Sequence, residues 1–268
     1  MQFEYPRYVY KFRFFDQEDN HVKILSHNEV FFSSPIHFND PFDCRIPIRY
    51  DLGTKREVVQ LYEKRASIKF PNMKSKDRRD LAKKGYKERL HLNRDETKRI
   101  VEEIVSSKIG VLPFSANFKS LLNWAHYSDS HAGFCIGFDL KLLTMFCLNY
   151  SATNGQAMSI YQVKYQDSFP IINPYRLSNE ERFKEQMLIK SSEWAYEEEF
   201  RIILQDGADR VIQIPNGIIK RVILGSEIKD HHRKRIIDIA NDCTIRPALF
   251  EAKRSKDNFA LVFNRLKD

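Results

Sequence analysis

Trp194-Ala195-Tyr196-Glu197-Glu198-Glu199-Phe200-Arg201, running on into Ile202-Ile203-Leu204, is the most informative stretch of the chain. Read as a strand over 197–204, it alternates. Glu197, Glu199 and Arg201 fall on one face, while Tyr196, Phe200 and Ile202 fall on the other, toward a core. Carboxylates two residues apart on a strand lie about 7 Å from each other, near enough for one ligand to meet both. Such a pair suits chemistry in which positive charge develops on a sugar: one carboxylate grips ribose hydroxyls while its field stabilises an oxocarbenium-like centre. The same letters equally describe a wet strand face with Glu199 and Arg201 as incidental neighbours, and the pattern alone leaves both readings open.

On either side of this stretch the periodicity points to more strands. In 8–15, Tyr8, Tyr10, Phe12 and Phe14 share one face; Val9, Lys11, Arg13 and Phe15 share the other. Lys11 and Arg13 thus make either a phosphate anchor or the partner of an acid on a neighbouring strand. Further strands are predicted over 30–33, 109–115, 133–139, 161–165, 221–225, 244–251 and 258–263, with Phe134, Ile136 and Phe138 turned inward. Helices are predicted over 118–127, 180–192 and 229–241, the second with Ser178 as N-cap and acid three residues on. Between strands, Phe38-Asn39-Asp40-Pro41-Phe42-Asp43 is a loop in which Asn39 and Asp40 either bond ligand hydroxyls or close Asx turns. There is no steady β-α alternation, no Gly-rich nucleotide loop and no internal repeat. The expected class is α+β, with mostly antiparallel strands.

Charge is unevenly placed. The 268 residues carry a net +8, and residues 54–108 hold 17 Lys/Arg against 9 Asp/Glu, which is the whole excess. This segment is predicted to form helices over 55–68, 75–90 and 94–108, a basic helical insertion in a single domain spanning 1–268. It is either a platform for nucleic acid or another polyanion, or a solvated face. Tyr62, Phe70 and Tyr86 are its few aromatics, too few for a base-stacking surface. The four cysteines include no CxxC pair, which disfavours a zinc cage or a disulfide framework. The chain shows no apolar run of the ~20 residues that span a bilayer and no signal-like start, so a soluble cytoplasmic protein is expected.

A second constellation lies in Asn123-Trp124-Ala125-His126-Tyr127-Ser128-Asp129-Ser130-His131-Ala132-Gly133-Phe134. Trp124 and Tyr127 share a helix face, beside imidazoles that titrate near neutrality. They either line a pocket for a planar ring or pack into the core with the histidines solvated.

Taken together, Tyr10-Lys11, Phe38–Asp43, Phe114-Ser115, Trp124-x-His126-Tyr127, His131-x-Gly133-Phe134 and Trp194–Arg201 resemble the bacterial domain-of-unknown-function family DUF2971 over about residues 8–225. A weaker likeness is to the NAD-binding core of ADP-ribosyltransferases. It implies a split, mostly antiparallel sheet core, with Lys11 or Arg13 as the dinucleotide anchor and Ser115 or Tyr127 in the middle role. Glu199 is then the catalytic acid with Glu197 as its companion. Asn39, Asp40, Trp124, His126 and Arg201, read from their own motifs, are added to the candidate cofactor-binding set. The implied activity is NAD-dependent ADP-ribosyl transfer or NAD hydrolysis, with NAD as substrate, no metal, and an acceptor that is protein, nucleic acid or water. By analogy such an enzyme fits a toxin or anti-phage effector. The alternative is a non-enzymatic module that binds nucleic acid or protein through 54–108. A third reading, a magnesium-dependent nuclease, would draw on Asp40, Asp43, Glu197 and Glu199.

Overall fold

Alternating apolar residues build the sheet, and where that alternation breaks, the chain leaves it. The structure is a computed structural model that describes residues 5–88, 90–92 and 108–266. In chain order the elements are β1 (Tyr8–Arg13), α1 (Lys23–Ser26), β2 (Glu29–Phe32), α2 (Lys55–Lys69), α3 (Ser75–Lys87), β3 (Ile109–Ser115), α4 (Leu121–Tyr127), β4 (Phe134–Asp139) and α5 (Leu140–Asn154). Then come β5 (Met158–Gln162), β6 (Lys164–Gln166), α6 (Asn179–Met187), β7 (Ile189–Ser191), β8 (Glu199–Gln205), β9 (Arg210–Gln213), β10 (Ile219–Leu224), α7 (Asp230–Asp242), β11 (Ala248–Arg254) and β12 (Leu261–Arg265).

Among the described residues, eight strands form one sheet in the order β12-β11-β10-β4-β1-β3-β8-β5. Only the β10–β11 pair is parallel within it. The architecture is therefore α+β with a large, mostly antiparallel sheet. The sheet is continuous rather than split, but it is pinched at its centre. β1 pairs β4 from Tyr8 to Arg13, and β3 pairs β8 from Ile109 to Ser115. β1 and β3 meet at the single pair Tyr10–Ser115. Beyond it the strands part, and the Lys11 ammonium donates across the gap to the Pro113 carbonyl at 2.8 Å.

One sheet face carries Leu112, Phe114, Phe134, Ile136, Phe138, Phe200, Ile202, Leu204 and Val222, packed with Leu143 and Cys147 of α5 and Ile236 of α7. Burying each such large side chain contributes roughly 1.5–3 kcal/mol. On the opposite face Tyr10, Phe12, Cys135 and Ile223 pack with Trp124 of α4. Val111 and Ile203 pack there with Cys44, Met187 and Leu188.

Several elements depart from the sequence expectation. The helix predicted over 180–192 keeps its Ser178–Glu181 capping box but ends at Met187. Ile189, Lys190 and Ser191 then pair in parallel with β6 as β7, and a 3-10 turn occupies Ser192–Glu197. Glu197 therefore closes that turn and is not a strand residue. Tyr196 lies half-buried beside His126, with ring centroids 6.3 Å apart, instead of entering the core. The strand predicted over 161–165 breaks at Val163, because β5 joins β8 whereas β6 joins β7. The closing strands start later than predicted, at Ala248 and Leu261, and α5 and β9 carry no sequence expectation.

In the basic segment, α2 docks through the fully buried Val58, and α3 offers exposed cations. Several of these are matched by acids, as in Arg79–Glu63 at 2.9 Å and Lys83–Asp80 at 3.9 Å. The helix predicted over 94–108 lies outside the described residues. No described helix is long and apolar enough to cross a membrane.

Gly133 seats β1 against the turn that leads into β4. A Cβ there would lie 2.1 Å from the Arg13 carbonyl oxygen and 3.0 Å from that of Ser128. Both obstacles are backbone, so the clash has no flexible side chain to absorb it. Gly133→Ala is expected to cost about 2–3 kcal/mol and to lower the melting temperature by roughly 5–10 °C, read by thermal denaturation.

Candidate functional site

A cavity of about 420 Å3 lies along the pinch in the sheet. Its walls are Tyr10 to Phe14 of β1, Pro113, Phe114 and Ser115 of β3, Asn123, His126 and Tyr127 of α4, His37, Phe38, Asn39 and Asp43, and Lys190, Glu197 and Glu199. Lys11, Arg13, Asn39, Ser115, His126, Tyr127, Glu197 and Glu199, which come from five separate parts of the chain, thus share one hollow.

Three sequence candidates stand elsewhere. Trp124 is wholly buried in the core: its indole N–H donates to the Phe118 carbonyl at 2.8 Å and its ring meets Phe12 edge-on at 5.1 Å. Asp40 closes an Asx turn by accepting the Phe42 N–H at 2.9 Å, and it borders a second hollow of about 240 Å3. Arg201 has no exposed surface, and its donors are taken by protein acceptors. It bonds both Asp43 oxygens at 2.8 and 2.7 Å, both Glu199 oxygens at 2.5 and 2.9 Å, and the Met187 carbonyl at 2.8 Å. Strand alternation does bring Glu199 and Arg201 to one face, but the 38–46 loop and the end of α6 cover it at Arg201 and leave Glu199 at the edge of the cavity.

Lys190 joins these groups to the cavity, and the sequence reading missed it. Its ammonium lies 2.6 Å from Glu197, 3.1 Å from Glu199 and 3.6 Å from Asp43, and 4.8 Å above the Trp194 ring. Ile189-Lys190-Ser191-Ser192 was hidden inside the expected helix. Its β-branched Ile and paired serines are the signal that could have ended that helix earlier.

Local backbone geometry makes the convergence possible. Glu198 sits in the left-handed region at φ 45°, with its carbonyl accepting from Ala116 N–H at 2.9 Å and its carboxylate from Asn117 at 2.9 Å. That reversal lets Glu197, from the turn, and Glu199, from β8, reach the same ammonium. A non-glycine residue held there is strained and persists only where its surroundings over-determine it.

Asp43, Glu197 and Glu199 are thus buried with Lys190 and Arg201, three carboxylates against two cations. Burial pushes the Glu199 carboxyl up, but Arg201 and Lys190 together prevail and hold it at about 2. Burial instead prevails at Glu197, with Glu199 adding to it against Lys190, so that carboxyl is raised. The Tyr127 hydroxyl donates to Glu197 at 2.6 Å, and burial together with that carboxylate raises the phenol. The two neighbouring acids are thus pushed in opposite directions, Glu199 toward the ionised form and Glu197 toward the protonated one. Across the cavity, burial and the neighbouring Arg13 pull Lys11 well down, and burial draws Arg13 to about 10.

Among the described residues no group of three or more His, Cys, Asp and Glu is arranged to hold a metal ion. The Asp43 and Glu199 carboxylates, two of the four that a magnesium site would use, face Arg201 and Lys190 instead.

Removing one member of such a buried set leaves its partners uncompensated. Glu199→Gln is expected to cost about 3–5 kcal/mol and to lower the melting temperature by about 10 °C. The folded Glu199 carboxyl lies below its ordinary value of 4.5, so the folded state binds fewer protons. Its contribution is present above pH 4.5 and is lost as pH falls toward 2, a loss that acid titration of stability should show and that Glu199→Gln should abolish.

No curated protein and no solved structure matches the chain. Residues 123–202, from α4 into β8, do match the model of a protein family of unknown function, DUF2971. The chain is similar to that family over the span that carries Tyr127, Lys190, Glu197 and Glu199.

Proposed function

We propose that the cavity is the active site of an enzyme that breaks a dinucleotide's glycosidic bond, with NAD as substrate and the ADP-ribosyl group passing to water or another acceptor. The observation that carries this reading is the meeting in one hollow of cations from β1 with carboxylates from β8 and the turn before it. Among the described residues, the half-buried Arg13 guanidinium meets no hydrogen-bond acceptor, with Asp16 acting on it only through space, and a partly desolvated guanidinium suits an anion such as a pyrophosphate.

In the proposed reaction the bond from the ribose anomeric carbon to the nicotinamide nitrogen breaks. Its electron pair leaves with the nicotinamide, and positive charge grows on the ribose. The buried carboxylates stabilise that charge. The acceptor's O–H or N–H then adds at the same carbon and gives up its proton to Glu197, whose raised proton affinity suits a general base. This assignment reverses the sequence expectation for the two acids. Both Glu199 oxygens are held by Arg201 and Lys190, so Glu199 supplies a fixed field. Glu197 is oriented for reaction by Tyr127 and Lys190.

Glu197→Gln should lower NAD turnover by roughly a hundredfold or more and lower the melting temperature by less than Glu199→Gln does, because Lys190 keeps Glu199 and Asp43 as partners. The wild-type rate should climb with pH on a limb displaced above the ordinary carboxyl value of 4.5, and Glu197→Gln should flatten that limb. Arg13→Ala should raise KM about tenfold with little change in kcat, because it removes binding and not chemistry. Wild-type protein that neither binds nor turns over NAD, with protein, nucleic acid and water offered as acceptors, would sink the reading. The alternative, a binding module built on 54–108, instead predicts polyanion binding that weakens steeply with salt and survives Glu197→Gln.

A further inference from the structure

We infer that Asn123, with Lys11 beside it, recognises a primary carboxamide in this cavity and so selects the nicotinamide end of the substrate. Asn123 lines the cavity and is only 1% exposed. Its side-chain N–H donates to the Ser115 hydroxyl oxygen at 3.1 Å. That hydroxyl spends its one proton on the Asn117 carbonyl at 3.2 Å and also accepts the Asn117 N–H at 2.9 Å. Ser115 therefore has no proton to give Asn123, which fixes the amide with its nitrogen toward Ser115. Among the described residues no donor then reaches the Asn123 Oδ1. A buried acceptor in that state is costly, and a ligand N–H placed against it recovers the loss.

The same wall supplies the complementary donor. Lys11 Nζ gives one proton to the Pro113 carbonyl at 2.8 Å and has at least one more to offer. Pro113 and Ser115 are two residues apart on β3, about 7 Å along the strand. A planar amide bound between them would set its N–H toward Asn123 and its C=O toward Lys11. Phe12 and Phe114, which belong to the cores on the two faces of the sheet, also line the cavity. The choice of nicotinamide over another carboxamide rests on the proposed NAD reading. Adenine presents a similar donor–acceptor edge, so it is the competitor that the test must separate.

The test titrates the full chain with nicotinamide, nicotinic acid and adenosine by calorimetry, using wild type, Asn123→Leu and Asn123→Asp. Wild type should bind nicotinamide about tenfold or more tighter than nicotinic acid, which sets a carboxylate oxygen against Oδ1, and tighter than adenosine. Asn123→Leu should lose that preference. Asn123→Asp keeps an acceptor facing the ligand and should retain nicotinamide while rejecting nicotinic acid more strongly. It carries the test if the leucine variant fails to fold. Wild type that ignores nicotinamide, that prefers adenosine, or whose preference survives in Asn123→Leu overturns the assignment. NAD turnover with unchanged discrimination in Asn123→Leu overturns this assignment alone. Discrimination without any NAD turnover overturns the glycosidic reading alone.

Discussion

The buried Arg201 guanidinium, clamped between Asp43 and Glu199, is the contact on which the arrangement of the site depends. It ties the loop after residue 38 to β8, and its bond to the Met187 carbonyl also fixes the end of α6. Lys190 extends the same cluster to Glu197 and hence, through Tyr127, to α4. An ion cluster of this kind adds little net stability compared with well-packed apolar side chains. What it provides here is placement, since four separate chain segments must be correctly seated before its charges are compensated.

Placement has an electrostatic result. Three carboxylates and two cations sit together at low exposure, so one carboxyl is held firmly ionised and another has its proton affinity raised. The cations of β1 are excluded from that cluster. Lys11 finds a carbonyl, whereas Arg13 finds no acceptor among the described residues. The cavity thus has cations of β1 on one side and, on the other, carboxylates held by a loop, a turn and β8.

Much of this was legible in the sequence, because strands of period two announce themselves. The aromatic alternation of β1, the apolar run of β3 and the Phe-Arg-Ile-Ile sequence of β8 each fix a face within their own strand. The meeting of Lys11 and Arg13 with Ser115 and Glu199 depends instead on the strand order and on the pinch between β1 and β3, which alternation does not give. The illegible parts share a cause: local signals that lose to tertiary contact. Lys190 follows a stretch of helical spacing, and only pairing with β6 makes its segment a strand. Glu197 reads as a strand residue, yet Glu198 takes a left-handed conformation that letters do not reveal. Arg201 looks like a ligand contact because alternation gives its face, whereas only the fold shows that the 38–46 loop covers it. Trp124 was ambiguous between pocket and core, and the partner for its indole N–H, the Phe118 carbonyl, settles it.

The lone Tyr10–Ser115 pair at the centre of the sheet bears on how the molecule breathes. Elsewhere in the sheet, neighbouring strands share longer ladders, so this seam has the fewest strand-pairing bonds to break in an opening short of global unfolding. A guest bridging the cationic and anionic walls would act as a clasp across it. Occupancy would then register as slowed amide exchange in β1 and β3, well beyond the residues that the guest touches.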